Sequence, residues 1–315
     1  MDCNKIIMNK KILIIGGCGY IGSELYSFLK TKYPNWNINT VDLEWFGNFS
    51  NKENFKIDFN TLNKADLLNY NSIILLAGNS SVKMCLNNLH STFKNNVYNF
   101  IKLLEKISPV TNFIYASSSS IYGNINQSFI EENCREYQAL NYYDLSKYEI
   151  DAYTSLYDKI PCFGLRFGTV NGPSVNFRND VMINMMYFSA KKNGKVIINN
   201  PNIRRPILGI NDLCNAIEHI ILKGSILNRG IYNLASFNLN VKEIGSAVAK
   251  YMNVSLNYSK DMPNRYDFSL STQKFKTIFN FQFKDNVNMI LKSIIERDNN
   301  NSMNFSNRNN IINYD

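Results

Sequence analysis

The stretch over residues 11–43 constrains this chain more than any other. It opens on Ile12-Leu13-Ile14-Ile15, an apolar run that reads as a buried strand. Gly16-Gly17-Cys18-Gly19-Tyr20-Ile21-Gly22 follows, a loop almost free of side-chain bulk. Ile21, Leu25, Phe28 and Leu29 then share one face of a helix that stops before Pro34. A second short strand, residues 38–41, runs into Asp42. Glycines let the backbone turn tightly and approach a pyrophosphate, whose charge is held by free N–H groups at the positive end of the helix. Asp42 lies about 20 residues past the loop, where an acid accepts hydrogen bonds from ribose hydroxyls. The order strand, glycine turn, helix, strand, acid predicts a dinucleotide site built on Gly16, Gly19, Tyr20, Ile21, Gly22 and Asp42.

The elements that follow predict the architecture. Residues 55–58 read as a third strand and residues 72–76 as a fourth, ending in Leu76 and Ala77, where small residues suit close approach of a cofactor. A helix is expected over 93–107, with Val97, Ile101 and Leu104 on one face and Asn96 near its start. A fifth strand over 112–116 leads into the serine run 117–120. Short apolar strands alternating with helices predict an α/β fold: a Rossmann-type, doubly wound parallel sheet covered on both faces. Residues 1–172 are expected to form this domain. Residues 173–297, with helices at 211–222, 241–251 and 286–296, are expected to form mainly a smaller substrate lobe, some segments returning to the large domain. Residues 298–315, rich in Asn, Ser and charge, are expected to be a loose tail.

Composition narrows the function. No apolar run among the 315 residues approaches the ~20 needed to span a membrane. Residues 1–9 are too polar and too short for a secretory signal, so a cytoplasmic location is expected. Six cysteines are scattered without a CxxC pair, and only His90 and His219 are present, so no metal site is expected. The net charge of +9 is spread along the chain without a basic run or interleaved aromatics, which argues against nucleic acid. A mildly basic surface also suits an anionic ligand.

The expected helix over 142–157 carries Tyr143-Asp144-Leu145-Ser146-Lys147, which puts Tyr143 and Lys147 on one face. Each residue alone has an ordinary reading: a surface tyrosine, a solvated lysine, a polar serine loop. A strand-end serine, a helical Tyr-x-x-x-Lys and an upstream glycine fingerprint with its acid form a joint pattern, which resembles the extended short-chain dehydrogenase/reductase family, in particular its nucleotide-sugar epimerases and dehydratases. The resemblance runs from about residue 11 to 297. It implies a catalytic hydroxyl at Ser118, within Ser117-Ser118-Ser119-Ser120-Ile121-Tyr122-Gly123, and cofactor contacts from Asp58, Ala77, Asn96, Tyr143 and Lys147. It also implies substrate contacts from Ser118, Arg178, Arg205 and Arg265, the last two toward a nucleotide diphosphate. Relatives often have Asn at Thr169 and Tyr at Asn171, so the resemblance does not carry over the exact sugar contacts at these positions.

Keeping a free tyrosine deprotonated at neutral pH costs roughly 4 kcal/mol. Lys147 and the oxidised nicotinamide ring both favour the phenolate, so Tyr143 is expected to act as general base while hydride leaves the sugar carbon. The cofactor is expected to be NAD rather than NADP, because Asp42 repels a 2′-phosphate and no arginine follows it in Leu43-Glu44-Trp45. The expected substrate is a UDP- or GDP-linked sugar, and the expected reaction is 4-epimerisation. A 4-dehydrogenase or 4-keto reductase is the alternative. A 4,6-dehydratase is disfavoured because relatives of that kind carry Asp-Glu where Ser119 and Ser120 stand, and a non-enzymatic NAD sensor is disfavoured by the intact Ser118, Tyr143 and Lys147. The resemblance also implies a homodimer, paired through the helices at 93–107 and 142–157.

Overall fold

The computed structural model describes residues 9–86, 89–125, 129–134, 136–260 and 266–305. Five strands, β1 (Lys11–Ile15), β2 (Asn37–Val41), β3 (Ser72–Leu75), β4 (Asn112–Ser118) and β5 (Cys162–Phe167), join Gly230–Leu234 in one sheet. Its order is Gly230–Leu234, β5, β4, β3, β1, β2, and every neighbouring pair is parallel. The chain leaves β1 for β2 on one side and returns as β3 on the other. Strand order therefore reverses at β1, and a crevice is expected beyond the carboxyl ends there.

Alternate side chains supply the two layers. Ile12, Ile14, Ile74 and Ile114 pack with Leu25 and Leu29 of α1 (Tyr20–Lys32) and with the helix Ile210–Lys223. Leu13, Ile73, Phe113 and Tyr115 pack with Val97, Phe100, Leu104 and Ile150 on the opposite face. Each fully buried Ile or Leu of this kind contributes roughly 1.5–3 kcal/mol, so the strand ends that carry the site are anchored from both faces. The helices Met182–Asn193, Val241–Met252 and Val287–Asn299 build a further core with Ile183, Tyr187, Ile244, Val248 and Leu291. A three-stranded sheet, Phe237–Asn240, Arg204–Gly209 and Thr169–Asn171, accompanies it.

Three expectations change. Residues 55–58 do not form a strand: Phe55 makes a single parallel bridge to Val41, and its side chain is 56% exposed. Asp58 turns the chain by capping Phe59–Thr61, accepting from the Asn60 N–H at 2.9 Å, so the segment leaves the sheet edge instead of extending along it. The helix expected over 93–107 runs over 89–104 and contains a π-helical turn at Lys94–Tyr98. The segment expected to be loose from residue 298 begins inside the last helix, and Asn304–Phe305 then pairs in parallel with Asn176–Phe177. Residues 306–315 lie outside the described residues. No helix among those described is long and apolar enough to cross a membrane.

Candidate active site

The glycine loop leaves β1 with Gly16 at φ 89°. A Cβ on Gly16 would lie 2.5 Å from the Ala77 nitrogen, and one on Gly22 would lie 2.1 Å from the Gly16 carbonyl oxygen. Only glycine lets the loop press against both the end of β3 and the start of α1. Gly19 caps α1 without a side-chain bond, and the first turn holds no acid, so this helix end is open to an anion. Asp42 accepts the Cys18 N–H at 2.9 Å on one oxygen and the Glu44 N–H at 2.7 Å on the other. Burial raises its carboxyl from the ordinary value, and these two amides pull it back. A carboxylate oxygen bonded once still has a lone pair for a ribose hydroxyl. The open helix end, the glycine cradle and the acid fit a dinucleotide.

A cleft of about 350 Å³ lies at the carboxyl ends of the strands. Gly16, Asp42, Leu76, Ser118 and Gly168, which follow or end β1 to β5, all line it, as do Gly19, Tyr20, Ile21, Gly22, Asp58 and Ala77. Tyr143 and Lys147 reach it from the helix Tyr142–Leu156, and Thr169, Arg178, Arg205 and Tyr266 complete the wall. The helix start is fixed by Asn141, whose side chain accepts from the Asp144 N–H.

Burial pushes the Tyr143 phenol up to about 12, against the Ser118 hydrogen bond and the charge of Arg178, which pull it down. Lys147 donates to the Ala116 carbonyl at 2.7 Å, and its ammonium lies 5.9 Å from the centre of the Tyr143 ring. Burial pushes this ammonium down to about 8, while Asp151 and Cys85 raise it. A phenol, a hydroxyl and a cation thus meet beside the dinucleotide cradle. Such a group can remove a proton from an alcohol and stabilise the oxygen that results.

Some expected contacts take another form. The Tyr20 hydroxyl donates to the Gly172 carbonyl at 2.8 Å, and the residue lines the cleft. Asn96 is buried behind the wall, which Asn95 lines instead. Its side-chain carbonyl accepts the Asn79 N–H at 2.8 Å, and its amide donates to the Asn79 backbone carbonyl and the Ser146 hydroxyl, each at 3.1 Å, so it braces the segment after β3 against the helix Tyr142–Leu156. The π-helical turn puts it there. Arg178 forms a two-pronged pair with Asp180 at 2.9 and 2.6 Å and still faces the cleft. Arg205 lies against the Tyr266 ring, 5.8 Å from its centre. Arg265 lies outside the described residues.

Other participants are not singled out by sequence. Asn176 donates to the Cys18 carbonyl at 2.9 Å, and Ser174 to the Tyr20 carbonyl at 2.8 Å, so the segment after Gly172 clasps the glycine loop. Lys52 stands beside Asp42 and Cys18 and donates to Ser50 at 2.8 Å. Asp144 sits within the Tyr-x-x-x-Lys motif and reads as a helix-capping acid, yet it bonds Ser120 at 2.5 Å and Tyr266 at 2.7 Å. Among the described residues no group of three or more His, Cys, Asp or Glu side chains is placed to hold a metal ion.

Sheet order, glycine cradle and cleft define a Rossmann-type dinucleotide-binding protein. Residues 12–235 match the NAD dependent epimerase/dehydratase family, and the chain belongs to that family, within its extended short-chain dehydrogenase/reductase, nucleotide-sugar group; its cofactor is NAD. It is 27% identical over 278 residues to the ADP-L-glycero-D-manno-heptose-6-epimerase of Brachyspira hyodysenteriae, covering 78% of this chain and 83% of that one. It is 25% identical over 297 residues to a trifunctional UDP-glucose 4,6-dehydratase/UDP-4-keto-6-deoxy-D-glucose 3,5-epimerase/UDP-4-keto-L-rhamnose-reductase of Arabidopsis thaliana, covering 85% of this chain but only 44% of the plant protein. The crystal structure of UDP-glucuronic acid 4-epimerase from Bacillus cereus, in complex with UDP-glucuronic acid and NAD, is alike in fold, with TM-score 0.79 at 20% identity over 91% of this chain and 98% of that one.

Proposed function

We propose that this protein is a nucleotide-sugar 4-epimerase that moves a hydride at C4 of the sugar, with Ser118, Tyr143 and Lys147 as the reacting residues. The observation that carries the reading is their convergence on one cleft wall beside the glycine cradle, with Ser119 and Ser120, not carboxylates, lining the same wall. Arg178 and Arg205 supply positive charge in the cleft for a diphosphate. The relatives named above, an epimerase and a dehydratase/epimerase/reductase, support the substrate class.

NAD, when bound, supplies the hydride acceptor and donor. Tyr143 takes the proton of the sugar hydroxyl as base, and Lys147 favours its ionised form. Ser118 hydrogen-bonds the reacting oxygen. On return, Tyr143 gives the proton back to the rotated ketone, which yields the epimer. Release of that ketone would make the same residues a dehydrogenase. We also propose that two copies pair through the exposed apolar sides of the helical arm 89–104 and the helix Tyr142–Leu156.

The test is incubation with a panel of UDP- and GDP-sugars, followed by NMR of the products in deuterated water. A C4 epimer without deuterium at C5 is expected. Deuterium at C5 with loss of the C6 hydroxyl would mean dehydration and overturn the reading. A stable 4-keto product with stoichiometric NADH would replace it by the dehydrogenase.

A further inference from the structure

Two arginines begin the strand Arg204–Gly209, and residues 266–268 run beside them, with the Phe268 N–H donating to the Arg204 carbonyl at 3.3 Å. Their side chains meet different partners. Arg204 meets a carboxylate, Asp267, at 3.1 Å. Arg205 meets a ring: its guanidinium lies over Tyr266, 5.8 Å from the centre. It also donates to the Tyr266 carbonyl and the Thr169 hydroxyl, each at a long 3.4 Å. A carboxylate takes up the guanidinium fork and its charge, whereas an aromatic face holds the cation and leaves the charge for an anion. Of these two arginines, it is Arg205 that lines the cleft, together with Tyr266.

The ring is itself held. The Tyr266 hydroxyl donates to Asp144 at 2.7 Å and accepts from the Asn141 amide at 2.7 Å. Asn141 caps the helix Tyr142–Leu156, and Asp144 directly follows Tyr143. Asp144 is wholly buried, and Ser120 and the Leu140 N–H fix it further, at 2.5 and 3.2 Å. Burial raises the Tyr266 phenol and the Asp144 carboxylate adds to this, against Asn141 and Arg205, so the donated proton stays in place. One tyrosine thus joins the arginine on one cleft wall to the helical turn that carries Tyr143 on another.

We propose that Tyr266 is a positioning residue for the nucleotide diphosphate: anchored on Asp144, its ring sets Arg205 at a fixed distance from Tyr143. The proposal rests on the diphosphate-binding role given above to Arg205. Binding energy gathered at a remote phosphate orients the sugar at the reacting residues only if both ends share a rigid link. A tyrosine that merely filled space would need its ring and not its hydroxyl bond.

The test is calorimetric titration of the NAD-bound protein with UDP and with GDP, at least one of which the wild type is expected to bind. Tyr266→Phe keeps the ring and loses the anchor. It is expected to weaken that nucleotide about tenfold, the worth of one hydrogen bond to a charged group, with NAD affinity unchanged. Asp144→Ala is expected to weaken it at least as far, and the double variant no further than Asp144→Ala alone. In an Arg205→Gln background, Tyr266→Phe is expected to change nothing. Unaltered UDP and GDP affinity in Tyr266→Phe overturns the proposal, as does a loss that persists in the Arg205→Gln background. A wild type that binds neither nucleotide overturns it as well. Tyr266→Phe decides by itself if Asp144→Ala does not fold. The titration uses no sugar, so a failure of the epimerase reading shows in the product analysis and not here.

Discussion

Arg166 on β5 and Asp151 on the helix Tyr142–Leu156 form an ion pair at 2.7 Å with both side chains almost wholly out of solvent. Ser117 and Tyr115 of β4 donate to the same carboxylate at 2.9 and 3.0 Å, and Arg166 also reaches the Tyr122 hydroxyl at 2.7 Å. The pair locks two strands to the helix one turn beyond Lys147, which fixes where the Lys147 ammonium sits. Removing one partner strands a buried charge. Asp151→Ala is expected to cost roughly 3–5 kcal/mol in urea unfolding. A loss of only about 1 kcal/mol would place the pair among solvated surface bridges and refute its locking role.

Cofactor choice depends on Asp42. Both its oxygens are held by backbone amides, so the carboxylate is fixed where ribose hydroxyls are expected. Asp42→Ala is expected to weaken NAD by about tenfold, the worth of one charged hydrogen bond. The same change removes the repulsion of a 2′-phosphate while Lys52 remains nearby, so NADP is expected to bind better than to the wild type. Titration with both dinucleotides reads this, and NADP equal to NAD on the unmodified protein would contradict it.

Four of the six strands were legible because each is a short run bounded by glycine, proline or polar residues, whereas Cys162–Phe167 and Gly230–Leu234 were not read as strands of this sheet. The glycine cradle was legible too, since Gly16 and Gly22 meet backbone at distances no side chain survives. Residues 55–58 misled because alternating Phe and Ile carry a strand period, but nothing in their own sequence says that the sheet stops at β2. The buried setting of Asn96 was not legible, because it lies on a π-helical turn that has no signature in Lys-Asn-Asn-Val-Tyr. The clasp of Ser174 and Asn176 on the glycine loop joins residues more than 150 positions apart, beyond any local pattern. Asp144 was visible, but a helix-cap acid looks the same in sequence whether or not Ser120 leans on it.

Dimerisation has a surface to act through. Leu89, Phe93 and Tyr98 on the helical arm, with Tyr142 and Leu145 on the helix Tyr142–Leu156, are all exposed apolar side chains. Exposed apolar side chains on two elements give the proposed pairing a surface whose burial would be favourable. Sedimentation is expected to give a dimer at micromolar protein, and Phe93→Asp to shift it toward monomer while the far-ultraviolet spectrum is unchanged. A wild-type monomer would remove the proposal.

The roles proposed for Ser118, Tyr143 and Lys147 make separable predictions. Tyr143→Phe deletes only the ionisable oxygen, so turnover is expected to fall by about a hundredfold or more with NAD affinity unchanged. Ser118→Ala is expected to cost less, about tenfold, because one hydrogen bond to the reacting oxygen is lost. Lys147→Met is expected to harm both NAD binding and rate, since one charge serves both. The pH dependence follows from the sign of each shift. Burial holds the Lys147 ammonium down to about 8, so its charge is present below that pH and is lost as pH rises through it. The Tyr143 phenol, held up to about 12, gains its reactive form in the opposite direction. NAD affinity is therefore expected to decline above a pH of about 8 in the wild type and in Tyr143→Phe, and the decline is expected to vanish in Lys147→Met. Fluorescence titration of NAD across pH reads this without any sugar. A decline that persists in Lys147→Met would assign it to another group and break the link between this lysine and the cofactor.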